Sequence, residues 1–254
     1  MQDRYIGDAG DYAKFSLLNS LTSGGESLIP LGVLWYRFPD ETHNGDGRHI
    51  SYLGQPEIAL RSPEVHAMLA DLVASGRRTI AAAQGRGILP ANTLFFSALV
   101  LKKGTPAERA SYRAAWFKRG LRNLAEADLI FFDPDNGIET PALDRRGLKA
   151  GKYVFWSEIE QAWDAGKSLV IYNHLNRSAP AWEQTARLAT QFSTKLGGTK
   201  TLIPLLFRRG SCRHIWVVAQ ERHSARLEAR AMEFLSRGWA LDTDIQIIKT
   251  SGAD

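Results

Sequence analysis

Leu129-Ile130-Phe131-Phe132-Asp133-Pro134-Asp135-Asn136-Gly137-Ile138-Glu139 is the stretch on which the fold turns. Four consecutive apolar residues without polar alternation describe a strand buried on both faces, as in a parallel sheet covered by helices. They deliver Asp133, Asp135, Asn136 and Glu139 into a turn where Pro134 removes a backbone donor and Gly137 permits positive φ. Two readings follow. Either the carboxylates converge to hold an amine, a sugar or a metal, or Asp133 and Asp135 satisfy backbone N–H groups in an Asx-turn. Four polar groups exceed what a turn needs, so a site is the expectation.

Similar apolar runs lie at 31–36, 94–101, 168–172, 201–207, 214–219 and 245–249. Helical segments separate them. Thr105-Pro106-Ala107-Glu108 combines an N-cap threonine, a proline at the first helical position and a capping-box glutamate. It opens a helix with Phe117, Leu121 and Leu124 on one face. Ser62-Pro63-Glu64 opens another that carries Met68, Leu69 and Leu72 and stops near Gly76, and two more are expected at 158–165 and 182–196. The alternation predicts an α/β fold with a doubly wound, mainly parallel, Rossmann-like sheet and an antiparallel C-terminal hairpin. One domain over 1–254 is expected, with an inserted helical and loop segment at about 39–92. Such sheets bind ligands beyond the carboxyl ends of their strands.

Composition narrows the classes. The 254 residues are 44% hydrophobic and 23% charged, which excludes disordered, collagenous and coiled-coil chains. Thirty-two Lys and Arg against 27 Asp and Glu give a formal charge of +5, which admits RNA or DNA as a partner without requiring either. A single cysteine, Cys212, and the absence of zinc spacing point to a reducing, cytoplasmic setting. No apolar run reaches the ~20 residues of a membrane span, so no membrane partner is expected. Oligomeric state leaves no trace in the sequence.

Three further clusters sit at predicted strand ends or turns. The run ending at Tyr172 passes into Asn173-His174-Leu175-Asn176-Arg177, where His174 suits a general base, metal ligand or hydrogen-bond donor and Arg177 an anion clamp. After the first strand comes a polar loop with Asp40, Glu41, His43, Asp46 and His49, either an exposed turn or part of a site. Near the start, Gly7, Asp8, Gly10, Asp11 and Lys14 precede a helix expected at 15–21. The two aspartates disfavour phosphate there and leave a cap-and-turn role as the alternative. Basic residues gather at 118–122 and at 208–213, a hairpin tip that carries Arg208 and Arg209; each is either a nucleic-acid contact or ordinary surface.

The order of these pieces resembles the S-adenosylmethionine-dependent methyltransferases, and within them it is most similar to the adenine-N6 RNA methyltransferases of the large-subunit ribosomal RNA type. Gly10-Asp11-Tyr12-Ala13-Lys14 resembles that family's N-terminal cofactor-side motif, and Phe131-Phe132-Asp133-Pro134 the first half of its Asp-Pro-Pro-Tyr motif. The resemblance implies S-adenosylmethionine as cofactor, bound at Gly10, Asp11 and Lys14; Asp40 and His43, in the loop after the first strand, are the further expected cofactor contacts. It implies a catalytic end at Asp133 and Pro134, in which Asp133 and the Pro134 carbonyl accept hydrogen bonds from an exocyclic amino group; Asp135, Asn136 and His174, read from their places at the strand ends, complete the expected catalytic set. Glu139, Asn176, Arg177, Arg208 and Arg209 are the expected substrate contacts. The motif departs from the family at Asp135-Asn136, where Pro-Tyr is usual, and Tyr36-Arg37-Phe38-Pro39-Asp40 stands in place of a glycine-rich turn. Two other classes use the same residues: a nuclease or phosphodiesterase with a divalent metal on Asp133, Asp135, Glu139, His174 and the His43 loop, or a non-catalytic nucleic-acid-binding module on a methyltransferase-like scaffold.

Overall fold

The computed structural model describes residues 1–23, 28–41, 45, 47–100, 103–198 and 200–250. In chain order the elements are α1 (Ala9–Thr22), β1 (Leu31–Trp35), α2 (Pro56–Ala59), α3 (Pro63–Ala74), α4 (Ile80–Gly85), β2 (Leu94–Phe96), α5 (Pro106–Asn123) and β3 (Leu129–Asp133). There follow β4 (Gly137–Ile138), β5 (Tyr153–Val154), α6 (Trp156–Asp164), β6 (Ser168–His174), α7 (Ala181–Lys195), β7 (Lys200–Phe207), β8 (Arg213–Gln220), α8 (Glu221–Ser236), β9 (Thr243–Ile245) and β10 (Ile248–Thr250).

The main sheet runs β10-β7-β8-β6-β3-β1-β2, with β9 also on β7. β2, β1, β3 and β6 are mutually parallel; β8 runs against β6, and β7 against β8. The fold is thus α/β with a largely parallel central sheet and an antiparallel hairpin near its C-terminal end. A separate two-stranded ribbon, β4 with β5, follows the Asp133 turn.

Every side chain of β3 is buried, and the strand divides its residues between two cores. Leu129 and Phe131 belong to the core that α1, α3 and α8 share, while Ile130 and Phe132 belong to the one built with Trp116 and Phe117 of α5, Ile159 of α6 and Phe192 of α7. That is why the strand is apolar without alternation. The segment at 39–92 lies between β1 and β2 and carries α2, α3 and α4. Its Tyr52, Val65, Leu69, Leu72 and Ile80 join the α1 and α8 layer.

Where helix ends were marked in the sequence they are found. Thr105 Oγ1 accepts from the Glu108 amide and Glu108 Oε2 accepts from Thr105 N at 2.7 Å, which holds the glutamate's pKa below its usual value. α1 begins six residues before the expected 15 because Asp8 caps it, its Oδ1 accepting from Asp11 N at 2.9 Å. Nearly all of α1 is buried, so no polar face marks its start. α8 shows helical spacing at Leu227, Ala231 and Phe234 but has no side-chain cap, and the start signals seen at α3 and α5 are missing.

Two expected strands differ. The run 94–101 stays in the sheet only to Phe96, because α5 takes the following carbonyls: Trp116 Nε1 donates to Ala98 O at 2.9 Å and Tyr112 to Leu99 O at 3.0 Å; Leu101 lies outside the described residues. The run 245–249 divides into β9 and β10, which keep one register on β7. The break falls opposite Pro204, which has no N–H to give the ladder.

Candidate functional site

Three parallel strands end together. Trp35 of β1 pairs with Asp133 of β3, and Tyr172 and His174 close β6 beside it. β1 lies between β2, which follows it, and β3, so the chain reverses its direction of travel across the sheet between β1 and β3. A crevice is expected at such a point, and a cavity of about 180 Å³ is found there. It is lined by Asp8, Asp11 and Lys14 of the α1 start, by Asp133, Pro134, Asp135 and Asn136, by Tyr172 and His174, and by His49, Ser211 and Arg213.

At its floor Lys14 lies between two carboxylates. Its Nζ is 3.1 Å from both oxygens of Asp133 and 2.7 Å from Asp11 Oδ1, and it sits over the Tyr172 ring at 4.9 Å. All three charged groups are buried. One cation cannot neutralise two carboxylates, and burial penalises the excess charge. Asp11 is therefore pushed up to about 7 by burial and by Asp8 and Asp133, against the pull of Lys14. Burial works against the charge on Lys14 itself, but Asp11 and Asp133 outweigh it and hold the ammonium above its ordinary range.

Asp135 is held separately. Gln2 Nε2 donates to its Oδ2 and the Met1 amine lies against its Oδ1, each at 2.7 Å, while Lys152 stands 3.7 Å away. Burial raises its pKa, but the amine, Gln2 and Lys152 together lower it by more, so the carboxyl stays ionised to below the usual carboxylate range. On the other wall Tyr172 Oη and His174 Nε2 are 2.9 Å apart. Burial, with the Arg213 and Lys14 charges, lowers His174 to about 4. Burial raises Tyr172 to about 12. Both are neutral at pH 7.

The turn that carries Asp133 needs its glycine. Gly137 has φ +113°, and a Cβ there would lie 2.3 Å from Asn173 Oδ1 and 2.7 Å from Asn173 Cα. That asparagine accepts from Ile138 N at 2.9 Å and ties the ribbon to β6.

The structure therefore brings together Gly10, Asp11, Lys14, Asp133, Pro134, Asp135, Asn136 and His174. Other expected residues stand apart. Asp40 is exposed and accepts from Arg4 N at 3.3 Å. Glu139 accepts from Trp156 N at 2.6 Å, at the start of α6, and pairs with Arg145. Asn176 makes an Asx-type bond to Ser178 N at 2.8 Å. Both Glu139 and Asn176 line a second cavity, of about 320 Å³, that shares Asn136 and His174 with the first. Arg177 is exposed outside these two cavities. Arg208 pairs with Asp244 at 2.6 Å, and Arg209 with Asp242 at 3.3 Å and with Gln55, so the hairpin arginines are engaged within the chain. His43 and Asp46 lie outside the described residues.

Sequence reasoning passed over Tyr172, Gln2 and Arg213. Tyr172 reads as the last apolar residue of a strand, Gln2 precedes any element, and Arg213 is one of three arginines in a basic run. Nothing local separates Arg213 from Arg208 and Arg209; the strand register does, since it opens β8 opposite His174.

No protein-family model matches this chain, and no curated protein matches it. The site rests on its geometry. Among the described residues no helix is long and apolar enough to cross a membrane.

Proposed function

We propose that the chain is an enzyme of nucleic acids or nucleotides on a methyltransferase-like scaffold, with the crevice beyond β1, β3 and β6 as its reacting centre. The observation that carries the proposal is the meeting of Asp11, Lys14, Asp133, Tyr172 and His174 at one cavity from separate parts of the chain. Titratable groups displaced from their ordinary ranges gather where acid–base work is done. Asp11, at about 7, exchanges its proton near neutrality, where such a group works best. Tyr172 and His174 supply uncharged polar atoms that orient a substrate. Asp133, fixed by Lys14, and Pro134 are the acceptors for an exocyclic amino group.

Asp133-Pro134 at the end of a central strand and the antiparallel hairpin beside β6 support the methyltransferase-type scaffold. S-adenosylmethionine is the cofactor that scaffold implies, and the residues present do not fit it where the resemblance places it. After β1 there is no glycine turn. Instead Met1 and Gln2, 2% and 0% exposed, cover that strand end: the Met1 amine donates to Tyr36 O and Phe38 N to Met1 O, both at 2.8 Å. The divalent-metal phosphodiesterase reading has less support, since among the described residues no group of three His, Cys, Asp or Glu side chains is placed to hold a metal.

Calorimetric titration with RNA and DNA oligonucleotides, S-adenosylmethionine, Mg²⁺ and Mn²⁺ tests the proposal. Oligonucleotide binding is expected, with turnover lost in Asp11→Asn. S-adenosylmethionine binding that disappears in Lys14→Ala would support methyl transfer as the reaction. Metal binding that disappears in Asp133→Ala would support phosphodiester cleavage. A chain that binds neither nucleic acid nor nucleotide refutes the proposal.

A further inference from the structure

Arg213 is 3% exposed, yet among the described residues no carboxylate lies within the 4.0 Å of an ion pair from it. Lys14, Arg61 and Arg113 are also buried, and each has a carboxylate. Lys200 lacks one too, but its ammonium is taken up by the Leu196 and Gly198 carbonyls. Arg213 faces a cavity instead. Its Nε donates to Ser211 O at 3.2 Å, and its Nη2 to Ser211 Oγ at 2.5 Å and to Arg209 O at 3.3 Å, while the group lies over the Phe207 ring at 5.6 Å. These bonds fix the fork and leave Nη1 without a protein acceptor among the described residues.

Nη1 stands against the first turn of α1. A Cβ on Gly10 would be 1.9 Å from it, so the glycine makes room for the guanidinium beside the amino end of α1, whose first turn Asp8 already caps. The acids of the same cavity have partners of their own. Asp11 and Asp133 share Lys14, Asp135 has the Met1 amine and Gln2, and Asp8 caps α1. Asp8 Oδ1 lies on the same side of the guanidinium, 3.0 Å from where the Gly10 Cβ would be, but stays beyond ion-pair distance, so an anion in the cavity would give Nη1 the direct partner it lacks among the described residues. The cavity, at about 180 Å³, is smaller than the ~300 Å³ at which pockets begin to enclose a whole small ligand. A ligand of nucleotide size would therefore be only partly enclosed.

We infer that Arg213 binds a phosphate group of the substrate, with Gly10 and the amino end of α1 as the other wall of the subsite. The inference rests on the proposed action on nucleotides or nucleic acids and names the contact that recognises them. A guanidinium fork matches phosphate oxygens in pairs, which an ammonium cannot do.

The test is calorimetry on the full chain with adenosine 5′-monophosphate, adenosine and S-adenosylhomocysteine, the last to present a carboxylate in place of phosphate. Wild type is expected to bind the monophosphate more tightly than adenosine. That preference should fall about 100-fold in Arg213→Met and about tenfold in Arg213→Lys, as for a lost or weakened charged hydrogen-bond pair. Gly10→Ala should weaken it without removing a charge, by displacing Nη1. Adenosine affinity should not change in any variant. Circular dichroism checks the fold of Arg213→Met; if that variant does not fold, Arg213→Lys and Gly10→Ala decide. Equal binding of monophosphate and adenosine by wild type, monophosphate affinity unaffected by the substitutions, or an effect confined to S-adenosylhomocysteine overturns the inference. Arg213-dependent phosphate binding with no turnover of any nucleic acid would leave it standing and sink the enzymatic reading. Turnover at unchanged KM in Arg213→Met would do the reverse.

Discussion

Replacing Asp11 by asparagine removes one proton site from the centre of the crevice together with one of the two carboxylates on Lys14, which keeps Asp133. The amide keeps the shape and an acceptor for Gly7 N, which donates to Asp11 Oδ2 at 3.2 Å. In the folded protein Asp11 takes its proton at about 7, against an ordinary 3.8. Between those values the folded chain holds the proton and the unfolded chain does not. Unfolding then releases it, so this group's contribution to stability is complete below about pH 4, declines as pH rises and is gone above about pH 7. At about 1.4 kcal/mol per pH unit the full interval is worth about 4 kcal/mol. Asparagine does not titrate, so the variant should gain on wild type as pH rises. Urea unfolding of both chains at pH 5, 6, 7 and 8 measures the difference, and at least about 2 kcal/mol of relative gain is expected over this range, half the full interval. A difference constant to within about 0.5 kcal/mol would mean that Asp11 is already ionised at pH 5, and the acid–base role assigned to it would fall. Loss of turnover with this gain in stability would mark a residue kept for chemistry at the expense of folding.

His174 should remain neutral throughout the physiological range, so its ring proton resonances should be constant from pH 5.5 to 8; a midpoint near 6.5 would show an open, solvated imidazole. Gly137→Ala places a Cβ 2.3 Å from Asn173 Oδ1 at φ +113°. It should cost more than about 2 kcal/mol in urea unfolding, and a near-neutral effect would show that the Asp133 turn is not anchored to β6 as described. Thr105→Ala, which lines neither of the crevice cavities, should cost about 1 kcal/mol through the lost cap of α5; ligand affinity measured alongside should not change.

How much of this was legible depends on whether the information was local. The strand at 129–133 announces itself because both faces are buried by one contiguous run, and the α5 start because a four-residue pattern closes its own hydrogen bonds. The site residues Asp11, Lys14, Asp133 and His174 were legible as polar groups at element ends. Their roles were not. A lysine paired with an aspartate 119 positions away follows from strand order, and a histidine's low basicity follows from burial beside Arg213 and Lys14. Glu139 and Arg209 are equally polar and equally close to a strand end, but neighbours distant in sequence or across a turn engage them. Composition cannot tell an engaged charge from an available one.

β8 lies between β6 and β7, although it follows both in the chain. β7 pairs with β8, β9 and β10 and has no bond to β6, so it cannot extend the growing sheet by itself. β7 therefore depends on β8 for its place, and β8 alone holds the hairpin to β6, through the pairs from Leu169 with Val218 to His174 with Arg213. Arg213 and Ser211 reach the crevice through that one seam. The first 174 residues supply the Lys14 cluster and the Tyr172–His174 wall and the hairpin supplies the remaining side, so a change that loosens the seam opens the crevice without touching its floor.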